Sequence, residues 1–450
     1  MSTLPLLSHA SPTAAVAYRH GAPVTAQRFL SDAAQLAETF PAGTHVLNVC
    51  GDRYRFTVGL AACLMTGRVS LLPSTHTPEV ITRLREFAPD SFCLTDDPRC
   101  DIDLPRLRYP DPPAATRAGP WAVPEIPTTQ TAAIVFTSGS TGTPLPYKKT
   151  WGRLARCVRD GAPRLGLLDG RSYAIIGTVP SQHMYGFEST VLLCLQSANA
   201  FGAERPFYPA DVASALAAVP RPRVLVTTPV HLRTLIASGV DMPPIDLVVS
   251  ATAPLAAELA REVEARFGTM LLEIYGSTET GQIATRRTAA AALWKLWPEV
   301  KLSVSKDQVF AHGGHVEQFT PMCDVLELIG EDEFLLHGRT ADLVNVAGKR
   351  SSFGYLNAQL NAIPGVVDGA FFLREEATGS TGVARLGAVV AAPTLTVGAL
   401  TEQLRHRIDP VFLPRPLIMV DRLPRNATGK LPQHEIESIA SRHLRASDAS

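Results

Sequence analysis

Short β-branched runs alternate with amphipathic helical stretches through the first three quarters of the chain, and this alternation restricts the fold more than any other feature. Val46–Cys50, Ala132–Phe136, Tyr173–Val179, Val224–Thr228 and Leu247–Ala251 have the composition of short strands. Phe56–Met65, Asp211–Val219, His231–Ser238 and Pro254–Phe267 carry helical periodicity between them. Strands separated by helices predict an α/β fold of mainly parallel sheets with helices on their faces. A chain of 450 residues exceeds what one core usually serves, so two or three subdomains are expected. Arg99–Thr129 holds seven prolines without a sustained period, which suits a surface connection. After about Ser303 the pattern turns to short strands, at Val309–Ala311, Val325–Leu328 and Phe334–Leu336, predicting a small β subdomain. Beyond Gly338 a compact α+β unit follows, with helices near Phe353–Asn361 and Val397–Ile408. The expected division is therefore 1–338, a large N-terminal lobe, and 339–450, a smaller C-terminal domain.

Charge narrows the partners. The 42 basic and 42 acidic residues cancel, which argues against a broad nucleic-acid or anionic-membrane surface, so an anionic ligand needs a local site. Seven scattered cysteines form no CxxC pair and no Cys/His cluster, so neither a disulfide framework nor a zinc site is indicated. The N-terminus lacks a basic region and a continuous apolar stretch, and the longest apolar runs, such as Leu60–Met65, fall far short of a bilayer span. A cytoplasmic location is expected by default.

The strongest local signal is Thr137-Ser138-Gly139-Ser140-Thr141-Gly142, directly after the strand Ala132–Phe136. Two glycines let backbone N–H groups curl around an anion, and the hydroxyls add donors without fixed charge. An ordinary polar turn has the same composition. The segment is not a Walker-type loop, because Pro144 stands where that pattern requires its second glycine.

Followed by Thr143-Pro144, this segment closely resembles the signature loop of the adenylate-forming superfamily, which comprises acyl-CoA synthetases, adenylation domains of nonribosomal peptide synthetases, and beetle luciferases. The first eight positions fit; Leu145 and Pro146 then replace the usual Lys-Gly, and Lys148 or Lys149 is a candidate for the displaced charge. Further blocks resemble the family in its order. Pro180–Gly186 contains His183, which the resemblance places at the acyl pocket and the thiol channel. Ser250–Leu255 stands for the small-residue turn against adenine and acyl group, with Ala251, Thr252 and Ala253 lining the pocket; Ala251 and Thr252 replace the usual glycines. Ile274–Gly281 matches the Tyr-Gly-x-Thr-Glu element: Tyr275 against adenine, Gly276 in the substrate pocket, Thr278 toward the α-phosphate and Glu279 as Mg²⁺ ligand. Asp324 and Arg339, fifteen positions apart, correspond to the ribose-binding pair, with Met322-Cys323 in place of the usual Thr-Gly. Gly338–Arg350 resembles the hinge and first strand of a mobile C-terminal domain: Ala341 at the pivot, Gly348 where a pantetheine arm passes, and Arg350 within reach of a phosphate. Leu423–Lys430 resembles the C-terminal lysine loop, with Lys430 as the catalytic cation.

The resemblance implies ATP- and Mg²⁺-dependent activation of a carboxylic acid to an acyl-adenylate. Rotation about Ala341 then withdraws Lys430 and admits a thiol, either coenzyme A or the phosphopantetheine of an acyl carrier protein. A small or aromatic acid is expected, since no extended insertion offers room for a long tail, and the chain also resembles compact ligases of aryl-polyene pathways. A fatty acyl-AMP or acyl-ACP ligase and a catalytically decayed nucleotide-binding homologue are the alternatives.

Overall fold

The structure, a computed structural model, describes residues 2–73, 75–110, 120–137, 145–306, 308–339, 343–346, 349–374, 385–425 and 431–448. Two large sheets organise the N-terminal part. A six-stranded sheet has the order Leu145–Thr150, Thr131–Thr137, Val69–Leu72, His45–Asn48, Phe92–Thr95, Arg106–Arg108, parallel except at the Leu145–Thr150 edge. The second sheet has eleven strands. Its centre is the parallel run Leu271–Ser277, Leu247–Ser250, Arg223–Thr227, Ala174–Gly177, Ala200–Gly202 and Ala15–Arg19. The central strands are apolar on both faces, as burial between helix layers requires.

A buried guanidinium ties the two sheets. Arg53, 1 % exposed at the start of the helix Arg53–Met65, donates to the carbonyls of Gly177, Val179, Gly202 and Glu204. These four lie at the ends of two parallel strands, so the helix of one sheet is anchored to the site edge of the other. Burial lowers the Arg53 pKa to about 10, still far above neutrality. The side chain therefore stays charged.

The part after Ser303 differs from the expected separate β subdomain in one respect. Lys301–Ser305, Gln308–Gly313 and Val316–Pro321 do form a small antiparallel sheet. Asp324–Leu328 and Glu333–Arg339, however, extend the eleven-stranded sheet through Trp294–Leu296. The reason is packing: Trp294 and Phe334 lie stacked at 6.2 Å and bury each other, and both are at most 2 % exposed.

Residues beyond Leu343 carry apolar clusters of their own. Leu356, Leu360, Phe371, Leu400 and Phe412 form one around the three-stranded sheet Asp368–Arg374, Arg385–Ala391, Leu417–Met419. At the junction, Gly338 has φ +125°, a conformation open to glycine, and the Ser352 hydroxyl donates to the His337 carbonyl at 3.1 Å. Among the described residues no helix is long and apolar enough to cross a membrane.

Candidate active site

Two of the segments singled out by sequence lie where strands of the parallel sheet end, the side on which open α/β sheets bind ligands. Ser250–Leu255 leaves the strand Leu247–Ser250, and Pro180–Gly186 follows the strand Ala174–Gly177. Tyr185 links these ends: its hydroxyl lies 3.1 Å from both the Thr227 and the Val249 carbonyls. Gly186 is pressed so closely against Pro180 that a Cβ would come within 2.0 Å of its carbonyl oxygen. The helical turn is thereby held down, and half-buried His183 stands at its start.

The Ser250–Leu255 turn keeps a conformation that glycine would favour, without having glycine. Thr252 adopts φ +78°, a strained value for a β-branched residue. The Leu255 N–H donates to Glu273 Oε1 at 3.3 Å, while Glu273 also accepts from Arg286 Nε at 2.8 Å and the Thr288 hydroxyl at 2.7 Å. Burial raises the Glu273 pKa, with Arg286, Thr288 and the Leu255 N–H working against that rise. One buried carboxylate thus braces the turn that presents Ala251, Thr252 and Ala253.

The Tyr275–Gly281 element is a hairpin. Ser277 and Thr280 cross-link it: the Ser277 N–H donates to Thr280 Oγ1 at 3.1 Å and the Thr280 N–H to Ser277 Oγ at 3.2 Å. Gly276 is exposed, and a Cβ there would meet the Gly281 carbonyl oxygen at 2.3 Å. Thr278 and Glu279 sit half-buried at the tip. Tyr275 is 8 % exposed, its ring 5.5 Å from those of Trp294 and Phe334, and its hydroxyl donates to Asp324 Oδ2 at 2.5 Å. Asp324 faces Arg339 directly across the antiparallel ladder. Two blocks forty-nine positions apart in sequence therefore meet at one hydrogen bond.

The two candidate lysines for the displaced charge lie on opposite faces of one strand. Along Leu145–Thr150 the side chains alternate, leaving Lys148 exposed and Lys149 3 % exposed beneath the hairpin. Lys149 Nζ donates to the Glu279 backbone carbonyl at 3.0 Å. Tyr147, two residues away on the same face, lies close enough to the Glu279 carboxylate for it to raise the phenol pKa, after burial. Glu188 was missed in the sequence. A lone acid in the apolar run Phe187–Leu195 is the signal that could have found it, since such a charge needs a partner.

Magnesium fits the donors present. Among the described residues no group of three or more His, Cys, Asp or Glu could hold an ion. One half-buried carboxylate, Glu279, suits a cation that takes one or two protein oxygens and completes its shell with phosphate and water. Ser138, Gly139, Ser140, Thr141, Gly142, Ala341, Gly348 and Lys430 lie outside the described residues, and Thr137, Arg339 and Arg350 are described for their backbone only. A hollow of about 570 Å³ at Arg261, Glu264 and Arg287 lies at the opposite strand ends and contains none of these residues.

By its family and its relatives the chain is an adenylate-forming enzyme, an AMP-forming acid–thiol ligase. Residues 9–305 match the AMP-binding enzyme family, and the chain belongs to it. It is 34 % identical over 281 residues to a 4-coumarate–CoA ligase of Rhodobacter capsulatus, covering 62 % of this chain and 68 % of that one. Its fold is similar to ATP-bound MatB from Rhodopseudomonas palustris, with a TM-score of 0.80 and 18 % identity over 95 % of this chain and 96 % of that one. O-succinylbenzoate coenzyme A synthetase (MenE) from Bacillus subtilis in complex with ATP and magnesium superposes with a TM-score of 0.80 and 17 % identity, covering 97 % of this chain and 100 % of that one.

Proposed function

We propose that the chain activates a small aromatic carboxylic acid and delivers its acyl group to coenzyme A, with carrier-protein phosphopantetheine as the alternative acceptor. The observation that carries this reading is the Tyr275–Asp324 hydrogen bond, which brings the carboxylate assigned to the ribose against the strand that leads into the Glu279 hairpin.

In the first half-reaction a carboxylate oxygen of the acid attacks the α-phosphorus of ATP, the bond to the β-phosphate bridging oxygen breaks, and pyrophosphate leaves. The carboxylate is a weak nucleophile and the phosphates repel it, so positioning and cationic groups must supply most of the rate. Asp324 holds the ribose hydroxyls, Thr278 donates to the α-phosphate, and the segment 137–142 takes the outer phosphates. Lys430 is assigned the role of neutralising both the attacking oxygen and the α-phosphate. Glu279 would hold the magnesium ion, which supplies charge neutralisation on the phosphate oxygens.

In the second half-reaction the thiol sulfur attacks the acyl carbon, AMP leaves, and the thiol proton passes to solvent. Residues 339–450 act as the lid that exchanges Lys430 for Gly348 and Arg350 about Ala341. A cleft of about 110 Å³ between Arg233, Ala253 and Pro254 on one side and Asn357, Asn361 and Arg425 on the other supports a route for the thiol beside the substrate turn. His183 is assigned to the acyl pocket, where the thiol channel would meet the substrate. An aromatic acid is favoured by the relative whose name specifies 4-coumarate. The reading includes a cytoplasmic location, where both acceptors occur.

The test is pyrophosphate release over a panel of hydroxycinnamic, benzoic and short aliphatic acids, with coenzyme A and holo carrier protein supplied separately. Turnover with an aromatic acid and coenzyme A is expected. Turnover with long-chain acids alone would overturn the substrate assignment, and thioester on carrier protein alone would overturn the acceptor.

A further inference from the structure

We infer that Lys149, with Glu188 as its counter-charge, is a positioning residue that sets the hairpin tip bearing Glu279. The inference rests on the reading of Glu279 as the magnesium ligand.

Lys149 and Glu188 hold opposite ends of one short segment. Lys149 Nζ donates to the Glu279 carbonyl, and the Gln282 backbone N–H donates toward the Glu188 carboxylate. Between them Gly281 is held at φ +75°, with space for a Cβ closed off by Glu188 Oε1 at 2.9 Å and Cys157 Sγ at 3.1 Å. The segment 279–282 therefore rests on a polar floor that fixes its height and its turn.

The floor is expensive in isolation. Lys149 is 3 % exposed and Glu188 2 % exposed, and a buried ammonium or carboxylate is strongly disfavoured unless compensated. Burial pushes the Lys149 pKa down and the Glu188 pKa up, and each charge opposes the other's shift. The Glu279 carboxylate also acts on Lys149, raising its pKa, and the other described groups facing the pair add no further negative charge. Cys157 donates its thiol to Glu188 Oε1 at 3.4 Å, and burial raises its pKa, so it stays protonated. His315 is held neutral, its pKa lowered to about 3 by burial and by the Lys149 and Arg153 cations. Arg153 donates to the His315 carbonyl at 3.3 Å. A leucine at position 149 and an apolar residue at 188 would pack this layer without the desolvation cost. The retained pair supplies what they cannot, a donor aimed at the Glu279 carbonyl.

Lys149→Met, Lys149→Arg, the double variant Lys149→Met with Glu188→Leu, and Glu279→Gln separate these roles. Each is titrated with MgATP by calorimetry, and its Mg²⁺ half-saturation and acid KM are measured in pyrophosphate exchange. Glu279→Gln is expected to raise the Mg²⁺ half-saturation; if it leaves it unchanged, the metal reading fails and this inference with it. Lys149→Met should weaken MgATP binding about ten-fold and melt early, because Glu188 loses its counter-charge. The double variant should regain most of the melting temperature yet keep the weakened MgATP binding, with the acid KM unchanged. Lys149→Arg, which keeps charge and donors, should bind MgATP within about three-fold of the parent. Should Glu279→Gln behave as expected while the double variant binds MgATP like the parent, Lys149 serves packing alone and the inference is overturned. If the double variant does not fold, weakened binding in Lys149→Arg to the level of Lys149→Met overturns it equally.

Discussion

The Tyr275 hydroxyl donates to Asp324 at 2.5 Å, although the strands Gly281–Arg286, Trp294–Leu296 and Glu333–Arg339 lie between theirs in the sheet. The sheet curls enough for Tyr275 to pass the rings of Trp294 and Phe334 and reach the far strand. That bond orients the carboxylate assigned to the ribose.

Tyr275→Phe keeps the ring packing and removes the donor. Stability should fall by about 1–2 kcal/mol. KM for ATP should rise several-fold while kcat changes little. Steady-state kinetics at saturating acid checks this, and an unchanged KM with a reduced kcat would place the hydroxyl in the chemical step instead.

Thr252→Gly should raise the melting temperature, since glycine accepts φ +78° without strain and the gain is about 1 kcal/mol. It also removes a side chain from the acyl turn, so the KM profile across bulkier acids should flatten. Calorimetry and the acid panel read the two effects independently. A lower melting temperature would mean that the threonine side chain contributes more than the backbone strain costs.

Gly276→Ala should cripple the enzyme through the hairpin. Its Cβ would meet the Gly281 carbonyl oxygen at 2.3 Å, backbone against backbone, with no flexible side chain to yield. Destabilisation of about 2–4 kcal/mol is expected. Urea unfolding measures it; a loss below about 0.5 kcal/mol would show that the hairpin relaxes freely.

Asp160 supplies a pH test away from the site. Burial, then the Glu299 carboxylate, raise its pKa to about 6, against the favourable Arg156. The folded value lies above the unfolded value of 3.8, so the cost to the folded state is absent below the unfolded value and complete above about 6. Asp160→Asn should therefore stabilise the protein at pH 8 and leave it unchanged near pH 3.5. The gain is on the order of 1 kcal/mol, because the side chain is only half-buried and solvent screens it. Melting curves at the two pH values decide it, and equal gains at both would refute the assignment.

Much of the parallel core was legible because apolar strands and their intervening helices follow local rules. Val224–Thr228 and Phe353–Asn361 were placed within a residue at each end. The hairpin at Tyr275 was legible as a motif. What escaped depends on long-range packing. Val325–Leu328 was expected in a small β subdomain, whereas Asp324–Leu328 pairs with Glu333–Arg339 and so joins the main sheet, where Trp294 stacks on Phe334. Glu188 escaped because its meaning lies in Lys149, thirty-nine positions earlier, and in the turn above both. The two lysines at 148 and 149 were equivalent candidates in sequence; strand alternation separates them.

Acyl-adenylate formation is assigned to the cation of Lys430. Lys430→Ala should be assayed for both half-reactions, acid-dependent ATP–pyrophosphate exchange and thioester formation from supplied acyl-adenylate. Exchange should fall by about three orders of magnitude, with thioester formation within a few-fold of the parent. Exchange that survives the substitution would contradict the assignment.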